Sequence, residues 1–268
     1  MALGLKEYQE RKAAEETRRE EAAKPRVQRF ALETDGDSAV VRFAQEMDAD
    51  ADGYSTEVGK GVVHIFHNNG DDVKNGFMNA ATCTIDSQGA CYGCDRVQEY
   101  AIDWEERKAW KQKEKFTINV IAGEPREVTE KVAGKEKKKY FTTDLPDDAT
   151  GGVVYLLEQS TYNGIYDALS AFFLNAKASK NTILGKTFQI TRKGKGFNDT
   201  SYNVIPVEDL PKTATPISEY QLVDVLEVLP EIDYAAQNAF YHKGSSAPAS
   251  APAVSESASS ATSTTESW

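Results

Sequence analysis

The chain has 268 residues, of which 40% are hydrophobic and 10% are aromatic. This length suffices for one large domain or two small ones with a sizeable core, and it excludes a short peptide scaffold. No apolar run approaches the ~18 residues needed to cross a bilayer. We therefore expect that the chain is not an integral membrane protein and has no membrane partner. The first residues alternate charges where a secretory signal would be apolar, which predicts a cytoplasmic protein.

Charge is distributed unevenly along the chain. The net charge of −11 hides two strongly basic segments. Residues 107–139 hold eleven Lys or Arg against five Glu, and residues 177–197 hold six against no acid, so each segment carries +6. The acids lie elsewhere, with −7 over residues 33–57 and −4 over residues 209–243. The pattern indicates separate cationic and anionic surfaces.

The two ends of the chain differ in composition from the middle. Residues 1–25 are rich in helix formers but lack an apolar stripe, which predicts an N-terminal helical arm that is solvated or docks on a neighbouring copy or a partner. Residues 244–268 are almost wholly Ser, Ala, Thr and Pro, which predicts a disordered tail. The folded core is expected at residues 26–241.

Strands dominate the predicted core, because five short segments rich in β-branched and aromatic residues are bounded by turn-forming residues. These segments are Ser38–Phe43, Gly61–His67, Phe116–Ile121, Thr187–Thr191 and Tyr202–Ile205. Apolar residues at helical spacing predict helices over Asn163–Ala176 and Ser218–Val228. We therefore expect a mainly β protein with added helices, of the α+β class, whose strands form a small barrel or sandwich.

The most specific pattern joins histidine and cysteine. His64 and His67 precede Cys83, Cys91 and Cys94, and the Cys-x2-Cys pair on a Tyr-Gly turn is typical of a knuckle that directs two thiolates at one ion. A strand ending at His67, a polar turn and a return segment would bring the imidazole to the three sulfurs. The sequence therefore predicts one structural Zn²⁺ in a ribbon.

This ribbon is expected over about residues 62–97. His64 and His67 lie three apart on a strand and point to opposite faces, so only one should reach the ion. His67 is favoured because it adjoins the turn, and His64 is the alternative. Four protein ligands leave no position for water, which favours a structural ion over a catalytic one. The competing interpretation is that the cysteines are small buried apolar residues.

Cations alternate with large aromatic residues around this ribbon. Such segments suit single-stranded nucleic acid, because cations neutralise phosphates while aromatic faces stack unpaired bases, at roughly 1–3 kcal/mol per base. The candidate contacts are Trp110, Lys111, Lys113, Lys115, Arg192, Lys193, Lys195, Phe197 and Tyr202. Phe197 is the strongest aromatic candidate, since it lies in a polar hairpin turn from which the core is hard to reach.

Several of these residues also have a purely structural interpretation. Trp104 and Trp110 would fill the junction of ribbon and barrel, Tyr202 would be a core residue, and Lys135–Lys139 would be a solvated loop. The sequence contains no phosphate-binding loop, no HExxH and no GxSxG motif, so we expect no enzymatic activity.

The motifs also occur in a characteristic order. It runs from Ser38–Phe43 through His67, Asn75-Gly76, Thr82-Cys83, Cys91-x2-Cys94 and a Trp/Lys-rich run to Asn119-Val-Ile121, Gly185-Lys-Thr-Phe and Gly196-Phe-Asn. This order resembles the helix-destabilising single-stranded DNA-binding proteins of T4-like and related tailed bacteriophages. The resemblance covers residues 38–205, and its metal motif is the specific part.

The resemblance implies an OB-fold core with an inserted zinc ribbon that coats single-stranded DNA without sequence preference during phage DNA replication, recombination and repair, in the host cytoplasm. It also implies a basic arm for self-association on DNA and an acidic C-terminal region that contacts replication and recombination proteins. Two features differ from the family, because residues 1–29 carry only +2 and the last 25 residues only two acids. The acidic stretch of residues 209–233 is then the candidate for recruitment.

Two other functions fit the residues less well. The alternative to a DNA-coating protein is a zinc-ribbon protein–protein adaptor of a replication or transcription complex, in which the lysines serve only solubility. A nuclease or other zinc enzyme is the third possibility, which predicts that activity is lost on zinc removal while the fold survives.

Overall fold

The computed structural model describes residues 6, 12–13, 27–32, 34–68, 79–99, 104–132, 135–162, 164–175, 181–195 and 199–242. The predicted arm lies almost wholly, and the predicted tail wholly, outside these residues. Contacts divide the chain into two units. The sheet unit comprises the residues up to His64 together with Glu114–Val228, and the metal unit comprises Ile65–Lys113 together with the residues from Leu229 onward.

The described strands and helices are short and mostly antiparallel. The strands are β1 (Ser38–Phe43), β2 (Val62–Asn68), β3 (Ala80–Thr82), β4 (Lys113–Ala122), β5 (Arg126–Val132), β6 (Lys135–Phe141), β7 (Val153–Ser160), β8 (Lys186–Lys193) and β9 (Ser201–Asp209). The α-helices are α1 (Ile85–Gln88), α2 (Tyr92–Glu99), α3 (Trp104–Trp110), α4 (Ile165–Leu174) and α5 (Tyr234–Tyr241). Two 3₁₀ turns cover Ile217–Glu219 and Val225–Val228.

Strand β4 lies at the centre of the sheet unit. It pairs with β7 over eight residues, from Lys115 opposite Ser160 to Ala122 opposite Val153. On its other side the strand order runs β4, β1, β8, β9. Strand β1 pairs with β8 through its first four residues and with β4 through its last two. Strands β5 and β6 form a separate two-stranded sheet.

The sheet is buried on both faces along β4, where every residue from Phe116 to Ala122 is buried. One face carries Phe116, Ile118 and Val120 into the main core with Phe43 and Phe188, and helix α4 packs against the same core. The opposite face carries Ile121 into a smaller cluster with Ala44, Leu145 and Ala149.

The five predicted strands and the predicted helix at Asn163–Ala176 are confirmed. The helix predicted over Ser218–Val228 is wrong, because this segment holds two 3₁₀ turns. Val223 between them donates its backbone N–H to the Asn119 side chain at 3.0 Å and accepts from it at 2.8 Å, so its peptide groups bond to the sheet and not within a helix.

The predicted solvated loop at Lys135–Lys139 is also wrong. These residues belong to β6, whose ladder with β5 sets Lys137 opposite Glu130 and Glu136 opposite Lys131. Lys138 and Glu127 form a salt bridge of 2.8 Å across the hairpin. Pairing of opposite charges across a ladder stabilises a strand that its composition alone would not predict.

The predicted α+β class, mainly β with added helices, is confirmed, and the structure shows that the strands pair mostly antiparallel. The described strands do not close into a barrel, so the OB-like barrel stays a prediction. Within the described ranges, no helix is long and apolar enough to cross a membrane.

Two buried side-chain amides lie among the apolar residues of this sheet. Asn119 and Gln45 are both almost fully buried. The Gln45 side-chain oxygen accepts from the backbone and side chain of Asn119 at 3.0 and 2.9 Å, and its amide donates to the Val58 carbonyl at 2.8 Å. Asn119 in turn holds Val223. The pair therefore ties two loops to β4.

Asn119→Ala should lower the free energy of unfolding by about 2–4 kcal/mol, because Gln45 and the peptide groups of Val223 lose their buried partner. Asn203→Ala, on the edge strand β9 and only half-buried, should cost less than about 1 kcal/mol. Urea unfolding of the two variants measures the difference, and equal losses would contradict the role given to Asn119.

Candidate metal centre

One histidine and three cysteines converge in the metal unit. The donor atoms of His67, Cys83, Cys91 and Cys94 all lie within 4.8 Å of one another. His67 and Cys91 are buried and the other two are half-buried. Sulfur and imidazole nitrogen are donors that bind transition metals, so this cluster could hold a metal ion.

Two local structures bring these residues together. The β2–β3 hairpin sets His67 opposite Ala81, and the Cys83 amide donates to the Ile65 carbonyl at 2.8 Å just beyond the ladder. Cys91 precedes helix α2, and Cys94 lies in its first turn. The Tyr92–Gly93 turn expected between the two cysteines is thus the start of a helix, which still directs both sulfurs to one side.

Gly93 is the residue that lets the helix approach the histidine. A Cβ atom at this position would lie 2.3 Å from the Cγ atom of the His67 ring, closer than any real contact. Any side chain here would push α2 away from β2. The glycine of the Cys-x2-Cys motif is therefore required by close packing of the imidazole, not by a positive φ.

The hydrogen bonds of His67 fix its orientation. Its Nδ1 atom lies 2.6 Å from the Trp110 carbonyl oxygen, which can only accept, so Nδ1 carries the proton. The Nε2 atom faces the cluster, 3.4 Å from the Cys94 sulfur. A histidine held by a carbonyl at one nitrogen presents the lone pair of the other, as metal-binding histidines do.

The sulfur atoms are in unequal environments. Burial acts to raise the pKa of the Cys91 thiol, but the adjacent His67 ring and the backbone of Thr84 and Cys94 bring this pKa down to about 6. Burial, the hydrogen bond with Cys83 and the charge of Cys91 raise the pKa of Cys94. Several thiolates this close repel one another, so full deprotonation of the cluster needs a cation among them.

Gln112 supports the sulfurs from outside the donor set. Its side-chain amide donates to Cys83 at 3.2 Å and lies 3.7 Å from the sulfur of Cys94. N–H groups that point at sulfur stabilise the thiolate form. The sequence analysis missed Gln112, and only its position next to the Trp/Lys-rich run could have pointed to it.

An aromatic cluster and the C-terminal helix support the centre. Tyr92, Trp110 and Tyr241 pack with ring centroids 5.2–6.1 Å apart. Gln237 of α5 is fully buried, accepts from the Tyr92 amide and donates to Thr84, each at 2.8 Å. The metal unit therefore extends beyond the ribbon predicted at residues 62–97, and no local pattern ties α5 to cysteines some 140 residues earlier.

His64 is not part of the donor cluster. It lies in the sheet unit, buried, and among the described residues its Nε2 atom has no hydrogen-bond partner. Burial and the nearby charge of Lys115 lower its pKa, while the Val225 backbone and Glu158 act in the opposite direction. The geometry favours His67 over His64 as the fourth donor.

The aromatic candidates for nucleic-acid contact have different positions. Trp110 is 0% exposed and belongs to the aromatic cluster of the metal unit. Its burial argues against the predicted stacking role, since a base needs a free ring face, and supports the structural interpretation. Tyr202 is half-buried against the main core. Phe197 lies outside the described residues.

The cationic candidates are only partly available to a ligand. Lys111, Lys113, Lys193 and Lys195 are exposed. Lys115 forms a 3.0 Å salt bridge with Glu158, and Arg192 is half-buried, with its guanidinium 3.2 Å from the Leu32 carbonyl.

Within the sheet unit, the strand register separates the two basic segments. The last residues of β1, Arg42 and Phe43, pair with Ile121 and Val120 of β4. Lys115 precedes this pairing in β4 and therefore lies beyond the C-terminal end of β1. The first residues of β1 pair with β8, where Ser38 lies opposite Thr191. Lys193 therefore lies beyond the N-terminal end of β1. The structure therefore does not bring Lys115 and Lys193 together.

Two exposed aromatic residues were missed by the sequence analysis. Tyr162, in the turn between β7 and α4, is 79% exposed, and Tyr140 on β6 is 55% exposed. In the same turn, Thr161 donates to Glu114 at 2.9 Å and the Tyr162 amide to the Ser160 hydroxyl at 3.3 Å. Tyr162 lies outside the basic runs, whereas Tyr140 directly follows Lys139 in a stretch that the sequence predicted to be a solvated loop.

Comparison of the sequence with models of known protein families and with curated proteins finds no match.

His67→Ala should reduce the metal content of the purified protein to well below one ion per chain, because one of four donors is removed. His64→Ala should leave the metal content unchanged and is the matched control. Elemental analysis of both variants measures the outcome. Retention of the metal by His67→Ala, together with its loss from His64→Ala, would reverse the assignment of the donor.

Proposed function

We propose that this chain is a zinc-containing protein that coats single-stranded DNA without sequence preference, of the type found in T4-like and related tailed bacteriophages. The convergence of His67, Cys83, Cys91 and Cys94 carries the proposal, because the metal motif is the specific part of the resemblance to that family. The sheet unit would then correspond to the OB-fold core of that family, and the metal unit to its ribbon.

Zinc is the metal that best fits the donor set. With Zn–S near 2.3 Å and Zn–N near 2.0–2.1 Å, a tetrahedral site separates two sulfurs by about 3.8 Å and a sulfur from a nitrogen by about 3.6 Å. Cys83 and Cys94 have their sulfurs 3.6 Å apart, and Cys94 lies 3.4 Å from His67 Nε2. Three thiolates and one imidazole complete a closed tetrahedral set, which favours a structural role.

The exposed lysines support binding to a polyanion. Lys193 and Lys195 are exposed at the end of β8, and the described residues give neither a salt-bridge partner. Lys111 and Lys113 are exposed at the start of β4 in the metal unit. Cations without competing carboxylates can neutralise phosphates and release counterions, which makes the affinity depend steeply on salt.

The exposed tyrosines support binding to unpaired bases. With Trp110 buried, Tyr162 and Tyr140 are the described aromatic residues with the largest exposed faces. Stacking of a base on an aromatic ring tolerates every sequence, because each base has a π-face. Duplex DNA hides its bases, so this mode of binding favours single strands.

Replacing Lys193 and Lys195 together by alanine should reduce the slope of log K against log salt for fluorescent oligo(dT) by about 1.4, since each lost contact to a single strand contributes roughly 0.7. The matched control replaces the exposed Lys60 and Lys212, which lie outside both basic segments, and should leave the slope unchanged. Fluorescence anisotropy at several salt concentrations provides both slopes. Wild-type protein that binds a duplex of the same length as tightly as oligo(dT) would contradict the proposal.

Removal of the metal should destabilise the protein, because a closed site contributes its binding free energy to folding. We expect a chelator to lower the melting temperature of the protein by several degrees and zinc to restore it. The measurement is thermal unfolding with and without a chelator, with Mg²⁺ as the control ion that soft sulfur donors reject. An unchanged melting temperature after confirmed metal loss would exclude the structural role.

A further inference from the structure

The sheet unit contains a cleft that the proposed DNA binding does not use. Its volume is about 760 Å³, within the range of sites that enclose small ligands or side chains of a partner. One wall comes from residues 54–62 and the other from residues 217–226. The wall of residues 217–226 is mostly apolar and includes Leu222, whereas the wall of residues 54–62 mixes apolar residues such as Tyr54 and Val62 with polar ones.

The cleft is held open by the two buried amides of the sheet. Gln45 donates to the Val58 carbonyl on one wall, and Asn119 binds the Val223 backbone on the other. Gln45 and Asn119 bond to each other at 2.9 Å, so both walls are fixed to one rigid pair. A preformed cleft spares a ligand the cost of ordering it.

The charged residues that line the cleft are more acidic than basic. Glu57 and Asp224 line it, and the described residues give neither carboxylate a salt-bridge partner. Residues 48–57 hold four exposed acids and residues 217–228 hold three, with no Lys or Arg in either range. Lys60 is the single cation among the lining residues. A cleft of this charge repels phosphates and attracts cations.

An exposed apolar residue marks the point where a partner would bind. Leu226 lines the cleft, is 68% exposed, and lies in a turn fixed by the hydrogen bond from its amide to the Asp224 side chain at 2.9 Å. An apolar side chain next to a carboxylate is complementary to a segment in which an apolar residue adjoins a cation.

We propose that this cleft docks a short segment of another protein, in which an aliphatic or aromatic side chain is flanked by Lys or Arg. The apolar side chain enters between the two walls and the cations face Glu57 and Asp224. Anchors of this kind contribute most of the affinity of small interfaces, while the charges contribute association rate and selectivity. The proposal does not depend on DNA binding.

The test begins with a random 12-residue peptide library selected on the immobilised full chain. The most enriched peptide, synthesised with a fluorescent label, is then the probe for direct titration. We expect enrichment of peptides that combine Lys or Arg with apolar residues, and weaker binding as salt increases. A library without enrichment, or one enriched in acidic peptides, overturns the proposal.

Substitutions then locate the bound peptide. Replacing Glu57 and Asp224 together by lysine should weaken binding at least tenfold, and Leu226→Ser should weaken it severalfold. The matched control, Glu136→Lys with Glu208→Lys, changes the net charge equally at exposed sites outside the cleft and should change affinity by less than twofold. Equal losses in the two double variants overturn the proposal. So does a Leu226→Ser variant that loses oligo(dT) binding and keeps peptide binding, since the cleft would then contact nucleic acid.

Discussion

Three thiolates cannot share so small a volume beside one neutral imidazole unless a cation lies among them, and the metal unit depends on this constraint. The four donor atoms lie within 4.8 Å of one another. The elements that carry these donors and pack around them are short. Strand β3 has three residues and the helices have four to eight, and none of them would form in isolation. The buried cluster of Ala81, Tyr92, Trp110 and Tyr241 is small. A bound ion would join β2, α2 and the segment around Cys83, and the aromatic cluster would then hold α5 against them.

The sheet unit is stabilised in a different way. Its central strand is buried on both faces, and the hydrophobic effect supplies most of the stabilisation. A polar pair at Gln45 and Asn119 interrupts the apolar layer, and its hydrogen bonds decide where the loops around Val58 and Val223 lie. Buried amides of this kind cost free energy unless every partner is present, so they favour a single arrangement of the loops. The acidic cleft is a consequence of that arrangement.

The basic residues at the end of β8 and the acidic residues of the cleft are suited to two different partners. The exposed Lys193 and Lys195 lie at one end of β8, whereas Glu57 and Asp224 line the cleft. A phosphate backbone and a cationic peptide would each be attracted to one surface and repelled by the other. The proposed binding of DNA and of a peptide would require this separation, since a single strand would otherwise compete for the surface that binds the peptide.

The sequence by itself predicted the candidate metal donors and most strands. Cys91 and Cys94 are close in the chain, and the period of two in a strand separates His64 from His67, so one histidine was expected at the site, with His67 favoured and His64 as the alternative. The sequence also predicted the mainly β class from short β-branched segments. Only the tertiary structure decided that Trp110 is buried, that residues 218–228 form 3₁₀ turns, and that Gln112 and Gln237 support the metal centre. Each of these depends on a partner far away in sequence, such as Asn119 for Val223 or Tyr241 for Trp110, and no local pattern encodes such contacts.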